Sequence, residues 1–135
     1  TFLIDLTSRT RRFLIMNQLS KAVSIHPYFK INEGCLDDFK ALIGKFIETT
    51  STEETCFYYD FSICGDIAFC REAYVDADAL LTHLGNVATH IEASGQLSEM
   101  IRLEIHGPAE ELAKLKEPLA ELPAEYYEHA GGVQK

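Results

Sequence analysis

Two histidines with helical spacing are the side chains of this sequence best suited to proton chemistry. His83 and His90 lie seven residues apart, which is two helical turns, so both fall on nearly the same face of a predicted helix. Aliphatic residues flank this face and place both rings at the boundary of the core. Imidazole changes charge near neutral pH, so either ring could orient a phenol or carry its proton. The alternative is a surface or capping histidine that binds a backbone carbonyl.

Strand tyrosines, an arginine and a third histidine are further candidates. Tyr58 and Tyr74 can each offer a hydroxyl group to a phenolic ligand, or can pack as ordinary strand aromatics with the hydroxyl at the rim. Arg71 fits a contact with a substrate anion or a partner chain, or a solvated charge at a strand edge. His26 lies on the first predicted strand, where its ring could approach the same site. No third and fourth ligand lies at metal spacing from the histidines, so no metal site is predicted.

The segment from Cys56 to His90 predicts the elements that position most of these residues. Cys56–Cys64 alternates aromatic and β-branched residues with polar ones, as a strand with one wet face does. Gly65-Asp66 supplies turn chemistry, and Ile67–Val75 alternates again, so the two strands should form a hairpin. Asp76 then caps a helix. The apolar stripe of that helix is Leu80, Leu81, Leu84, Val87 and Ile91.

The remaining segments complete a recognisable order. Lys21–Ile31 predicts a first strand, in which Pro27 indicates an edge position or a bulge. Apolar residues at helical spacing from Leu36 to Ile47 predict an amphipathic helix. Met100–His106 predicts a fourth strand, and Gly107-Pro108 opens a third helix that Pro118 should interrupt. The tail over 125–133 can add a fifth strand.

The order β-α-β-β-α-β predicts an α+β, ferredoxin-like fold with a four-stranded antiparallel sheet. Two helices cover one face of such a sheet, and the other face here carries aromatic and aliphatic residues that one chain cannot cover. A second copy is the economical cover, so a homodimer is predicted. Residues 21–135 are assigned to this single domain. Residues 1–20 are expected to be an N-terminal extension, vector-derived in part or upstream of a natural start at Met16.

Composition excludes several classes of partner. A net charge of −9 disfavours nucleic acid and anionic membranes, which both need clustered Lys and Arg. No apolar run approaches the roughly 20 residues that span a bilayer. The four cysteines form no CxxC motif, and reduced thiols in a cytoplasmic protein are expected.

Four of these features together resemble a known family. They are an aromatic pair at Tyr58-Tyr59, the turn Gly65-Asp66, the strand end Glu72-Ala73-Tyr74 and the helix segment Leu80-Leu81-Thr82-His83. Over roughly Ala22 to Leu122 the chain is similar to the antibiotic biosynthesis monooxygenase family. That resemblance implies a dimeric α+β barrel in which each subunit holds a ligand between its sheet and its helices. His83 and Tyr74 would then be catalytic, and Tyr58, His90, His26 and Arg71 would bind the substrate.

The resemblance implies cofactor-free oxidation of a small aromatic or quinol-type compound. No GxGxxG, P-loop or flavin motif occurs, so no cofactor is expected and the substrate itself would reduce dioxygen. Tryptophan is absent, and Tyr74 stands where the haem-degrading branch of the superfamily has an indole, so haem degradation is not expected. The alternative is a non-catalytic ligand-binding or stress-response protein on the same dimeric scaffold, which would have a small or closed cavity.

Overall fold

A computed structural model describes residues 19–133, so the predicted extension lies almost entirely outside the described residues. The strands are β1 (Val23–Ile31), β2 (Cys56–Cys64), β3 (Ile67–Tyr74), β4 (Ser98–Gly107) and β5 (Ala124–Glu128). The helices are α1 (Leu36–Thr50), α2 (Ala77–Asn86), α3 (Ala88–Leu97) and α4 (Ala109–Lys116). None of the helices in residues 19–133 has the length and apolar character that crossing a bilayer requires.

The five strands form one sheet in the order β2-β3-β1-β4-β5. The first four pair antiparallel, which confirms the predicted α+β, ferredoxin-like fold. The fifth strand that the tail was expected to be able to add is present as β5, which pairs parallel to β4 with Ala124 opposite Leu103. The hairpin turn is confirmed, since Gly65 has a φ of 61°, in the left-handed region that glycine adopts at little cost.

Pro27 lies in a central strand, which contradicts the edge position but not the predicted irregularity. β1 lies between β3 and β4. No β3 partner is paired with His26 or Pro27, whereas Pro27 lies opposite Leu103 of β4. The β4 register then shifts between Tyr28 and Phe29. Because the pairing with β3 is interrupted at this point, no backbone N–H is required there, and proline is tolerated.

The single helix predicted from Asp76 onward is two helices. α2 ends at Asn86 and α3 begins at Ala88, with Val87 between them at φ −101° and ψ 11°. Gly85 and Asn86 precede the break, and both have low helix propensity. His83 and His90 therefore belong to different helices.

The two faces of the sheet differ in what covers them. The face toward the helices carries the core, including Ile25, Leu103 and Ile105. The opposite face, here called the open face, carries a continuous set of ring contacts and charges. These residues are His26, Tyr28, Phe69, Arg71, Arg102, Glu104, His106 and Tyr127. The exposed ring of Tyr58, which is paired with Ala73, lies on the same face.

Candidate functional site

A cavity of about 80 Å³ lies between the sheet and the helices. Most of its wall is apolar, and the apolar side chains come from strands β1, β2 and β4 and from the region of helices α2 and α3. Three polar side chains, Tyr59, Glu72 and His83, also line it. An apolar chamber with a few polar groups is the usual composition of a site for a small organic ligand.

The helix that carries His83, α2, is anchored at its N-terminus, where two carboxylates accept hydrogen bonds from backbone N–H groups. The Asp76 side chain accepts a hydrogen bond of 2.8 Å from the backbone N–H of Ala79. Glu111 of α4 accepts one of 3.0 Å from the N–H of Ala77. Both carboxylates meet the positive end of the helix dipole. The start of α2 at Ala77 is thereby fixed less than two helical turns before His83.

His83 is buried between two carboxylates. Its side chain is 1% exposed, and its Nδ1 lies 2.9 Å from Oε1 and 3.0 Å from Oε2 of Glu53. Its Nε2 lies 3.3 Å from Oε1 of Glu72. Asn86 donates a further hydrogen bond of 3.1 Å to Glu53. Both ring nitrogens can therefore donate, as the imidazolium form requires.

Burial and the two carboxylates act on His83 in opposite directions. Burial by itself would lower the pKa of His83, because it penalises the charged ring. Hydrogen bonds and charge attraction from Glu72 and Glu53 outweigh that penalty, so the pKa of His83 lies above its ordinary value. The site holds a cationic ring with an anionic group on each side.

Glu72 is the carboxylate that faces the cavity. It is 4% exposed, and its Oε1 accepts a hydrogen bond of 2.6 Å from the hydroxyl of Tyr74. The same oxygen contacts His83, so a buried charge that would otherwise be very costly is paired and hydrogen-bonded. Glu72 is thus a fixed acceptor at the edge of a largely apolar space.

Burial and the nearby Glu72 charge raise the pKa of both tyrosines at this end of the cavity, Tyr59 and Tyr74. Each hydroxyl therefore stays protonated at neutral pH, and that of Tyr74 donates to Glu72. The ring of Tyr59 meets His83 edge-on at 5.2 Å between centroids. Burial likewise raises the pKa of the Cys70 thiol, which keeps it protonated beside Glu72.

The sequence-predicted site residues separate into three places. His83 and Tyr74 lie together around Glu72. His90 is half-buried on α3, where its Nε2 lies 3.0 Å from Oγ1 of Thr49 and its ring meets Phe46 edge-on. Of the two histidines, only His83 lines the cavity.

Tyr58, His26 and Arg71 lie on the open face, because strand alternation turns them away from the helices. Arg71 pairs with Asp60 at 3.5 Å, and the His26 ring stacks on Phe69 at 5.9 Å. The prediction that Tyr58 and His26 line the cavity therefore does not fit their positions. The neighbour of Tyr58, Tyr59, takes that place.

Three lining or supporting residues were missed from the sequence. Glu72 is the one charged residue in the otherwise apolar and aromatic alternation Ala68, Cys70, Glu72, Tyr74, and this was a usable signal. Tyr59 lies on the apolar strand face, which is the face that a helix covers. Glu53 follows α1 in a polar loop, and nothing in its sequence context indicates that it would contact His83.

The site can hold and transfer protons, because the Glu72 carboxylate, the His83 ring and the Tyr74 hydroxyl are in direct contact. Within residues 19–133, no group of three or more His, Cys, Asp or Glu side chains is arranged to hold a metal ion. Glu53 and Glu72 contact the ring of His83 from two sides instead of converging on one centre.

Comparison with solved structures places this architecture among known proteins. The chain is 42% identical to MupZ from Pseudomonas fluorescens over 85% of this chain and 95% of that one, with a TM-score of 0.82. SnoaB from Streptomyces nogalater, a cofactor-independent oxygenase solved in a mutant form, is 13% identical over 63% of this chain and 88% of its own, with a TM-score of 0.54.

A third similar structure is an antibiotic biosynthesis monooxygenase candidate from Caulobacter crescentus. It is 16% identical over 64% of this chain and 89% of its own, with a TM-score of 0.59. At identities this low, the similarity of the chain to the Caulobacter protein and to SnoaB shows that they share its fold. No protein-family model matches the chain, and the comparison with curated proteins gave no significant match.

Proposed function

Because the chain belongs to the antibiotic biosynthesis monooxygenase family of dimeric α+β barrel proteins, we propose that it is a cofactor-independent monooxygenase. Its substrate would be a small aromatic or quinol-type compound bound between the sheet and the helices of one subunit. The observation that carries this proposal is the Glu72–His83 pair at the edge of an apolar cavity. A phenolic ring suits the apolar wall, and its hydroxyl suits the carboxylate.

In this proposal Glu72 accepts the proton of the substrate hydroxyl. The imidazolium of His83 and the hydroxyl of Tyr74 hold the Glu72 carboxylate in one orientation and balance its charge. Glu53 holds His83 from the other side. His83 is then a positioning residue, since both of its nitrogens are occupied by carboxylates.

The electrons for the reaction come from the substrate anion. An electron-rich phenolate with an adjacent ring methylene can reduce dioxygen directly, forming a hydroperoxide at that carbon. Loss of water leaves a carbonyl, so a CH₂ group and O₂ give C=O and H₂O. The apolar wall keeps the anion away from bulk water.

Oxygen consumption with a panel of quinols and anthrone-type phenols tests the proposal. Wild type should consume dioxygen, and Glu72→Gln should lower the rate by roughly 10² or more, as expected for loss of a general base. Glu104→Gln, which changes a carboxylate of the open face, is the matched control and should leave the rate unchanged. Equal rates for wild type and Glu72→Gln would remove this carboxylate from the mechanism.

One observation favours the alternative of a non-catalytic ligand-binding protein. The cavity of about 80 Å³ is well below the roughly 300–1,000 Å³ of typical small-molecule sites. A binding module would be stabilised by phenolic ligands without consuming dioxygen. A monooxygenase instead requires the wall to open for its substrate, so wild-type oxygen consumption separates the two functions.

The open face supports a homodimer. It gathers six aromatic and histidine rings, together with the charges of Arg102 and Glu104, on one side of a five-stranded sheet. The six rings are His26, Tyr28, Tyr58, Phe69, His106 and Tyr127. A second copy brought sheet to sheet would cover this surface and give the barrel of the family.

A further inference from the structure

The apolar wall of the cavity favours apolar ligands, and the charge beside the cavity further restricts which ligand charges it can accept. Glu72 and Glu53 have side chains that are 5% and 7% exposed, and the one cation between them is the ring of His83. Two carboxylates and one imidazolium leave one negative charge at this end of the cavity. Among the described residues that line the cavity, none is a lysine or an arginine.

The nearest arginine in sequence faces the other way. Arg71 precedes Glu72 on β3, and strand alternation places it on the open face, where it pairs with Asp60. Lys114, on α4, is paired with Glu111 at 2.9 Å, where Glu111 contacts the start of α2. An anionic ligand in the cavity would therefore meet a net negative charge with no cation to balance it.

We propose that the cavity selects neutral compounds with one hydroxyl donor and an apolar body, and rejects their carboxylate counterparts. The inference rests on the proposed function only in placing the substrate in this cavity. A hydroxyl group can donate to Glu72, which is a fixed and desolvated acceptor. A carboxylate there would lose its hydration, lack a donor of opposite charge and be repelled by Glu72 and Glu53.

The rest of the wall fits the apolar body of such a ligand. Phe46 and Phe61 supply aromatic surface, Leu84 and Val87 supply aliphatic surface, and Met100 adds a flexible thioether. Methionine adapts its shape to a ligand at little cost, and aromatic rings bury large apolar areas. The hydroxyl group gives orientation and the wall gives affinity.

Calorimetric titration with three matched probes tests this selection at neutral pH. The probes are 4-propylphenol, 4-propylanisole, which lacks the donor, and 4-propylbenzoate, which is ionised. The phenol should bind at least about tenfold more tightly than the benzoate, because repulsion from one buried charge is worth a factor of that size or more. It should also bind about tenfold more tightly than the anisole, which has no hydrogen to donate to the buried Glu72 carboxylate. Benzoate that binds as tightly as the phenol, or a phenol that does not bind at millimolar concentration, overturns the proposal.

Two variants and a nuclear Overhauser measurement test whether the phenol binds in this cavity. Glu72→Gln keeps the shape and removes the charge, and should reduce the difference between phenol and benzoate to a few-fold. Glu104→Gln should leave that difference unchanged. Nuclear Overhauser contacts between the bound phenol and the Met100 methyl group should appear in wild type, and their absence in the presence of binding contradicts the placement.

The outcomes separate this inference from the monooxygenase proposal. Selective phenol binding without oxygen consumption by any quinol supports the inference and rejects the monooxygenase. A quinol carboxylate that consumes dioxygen as fast as its methyl ester rejects the inference and leaves the monooxygenase in place.

Discussion

His83 shows how a polar group can be kept in the interior of this protein. The ring is 1% exposed, and it is tolerated there because Glu53 and Glu72 occupy both nitrogens. Removing one member of a buried ionic group leaves the others without compensation, which costs more than the pair itself contributed. The His83 ring is therefore as important for stability as for the proposed chemistry.

Replacing His83 with alanine should be strongly destabilising. We expect His83→Ala to lower the free energy of unfolding by about 3–5 kcal/mol, because two buried carboxylates are left without their cation. His90→Ala removes one hydrogen bond to Thr49 and should cost about 1 kcal/mol. Denaturant titration measures both, and equal losses would contradict the account of His83.

The raised pKa of His83 predicts a loss of stability with rising pH. The folded state binds the proton more tightly than the unfolded state, so the gain is fully present below the ordinary value of 6.5. The gain disappears as the pH rises through the higher pKa of the folded protein. The melting temperature should therefore fall as the pH rises above 6.5.

Glu53→Gln provides the matched comparison for this pH effect. Glutamine keeps the shape of the side chain but removes one of the two charges that raise the pKa of His83. The decline in melting temperature should therefore be smaller than in wild type. A wild-type melting temperature that stays constant or rises over the same pH range would contradict the ionic assignment.

Among single residues, the sequence predicted a site role for His83 and Tyr74 but not for Glu72, the carboxylate that both side chains contact. Glu72 could have been found, since a carboxylate between Cys70 and Tyr74 on a helix-covered strand face needs a buried partner. Glu53 could not, because its contact with His83 depends on how the loop after α1 packs against α2. Tyr58 and Tyr59 are adjacent on β2 and point to opposite faces of the sheet, so the face that the helices cover decides which of them lines the cavity.

At the element scale, α2 is the part of the fold that brings His83 to the sheet. Its first turn is held by Asp76 and by Glu111 from α4. The hairpin, the start of α2 and the end of α4 before Pro118 were predictable, because each has a local cause in a glycine, a cap or a proline. The break at Val87 was not, and neither was the parallel pairing of the expected fifth strand with β4, because both depend on tertiary packing.

The cap of α2 can be tested without touching the cavity. Asp76→Ala removes the acceptor of the Ala79 N–H and should lower the free energy of unfolding by about 1 kcal/mol. Asp76→Asn keeps an acceptor oxygen and should lose less. Chemical denaturation measures the difference, and an unchanged stability for Asp76→Ala would show that the cap does not hold α2.

At the scale of the whole molecule, the open face determines how two copies would meet. Phe69 lies at its centre, where its ring contacts both His26 and Tyr28. The proposed dimer would bury these rings, so a charge introduced at Phe69 would have to be desolvated at the interface. The cavity on the other side of the sheet would be unaffected.

Light scattering during size-exclusion chromatography tests this assembly. Wild type should have twice the mass of one chain, and Phe69→Glu should have the mass of one chain. Ile47→Glu introduces the same charge at an exposed position of α1 and should remain dimeric. A wild-type mass equal to one chain would contradict the proposed homodimer.

Isotopically labelled dioxygen tests directly whether oxygenation takes place at the Glu72–His83 pair. Protein freed of metals by chelation is incubated with a quinol-type substrate under ¹⁸O₂, and the product is analysed by mass spectrometry. We expect one ¹⁸O atom in each product molecule for wild type, and little labelled product for Glu72→Gln. Product without ¹⁸O, or labelled product in equal yield from both proteins, would contradict oxygenation at the Glu72–His83 pair.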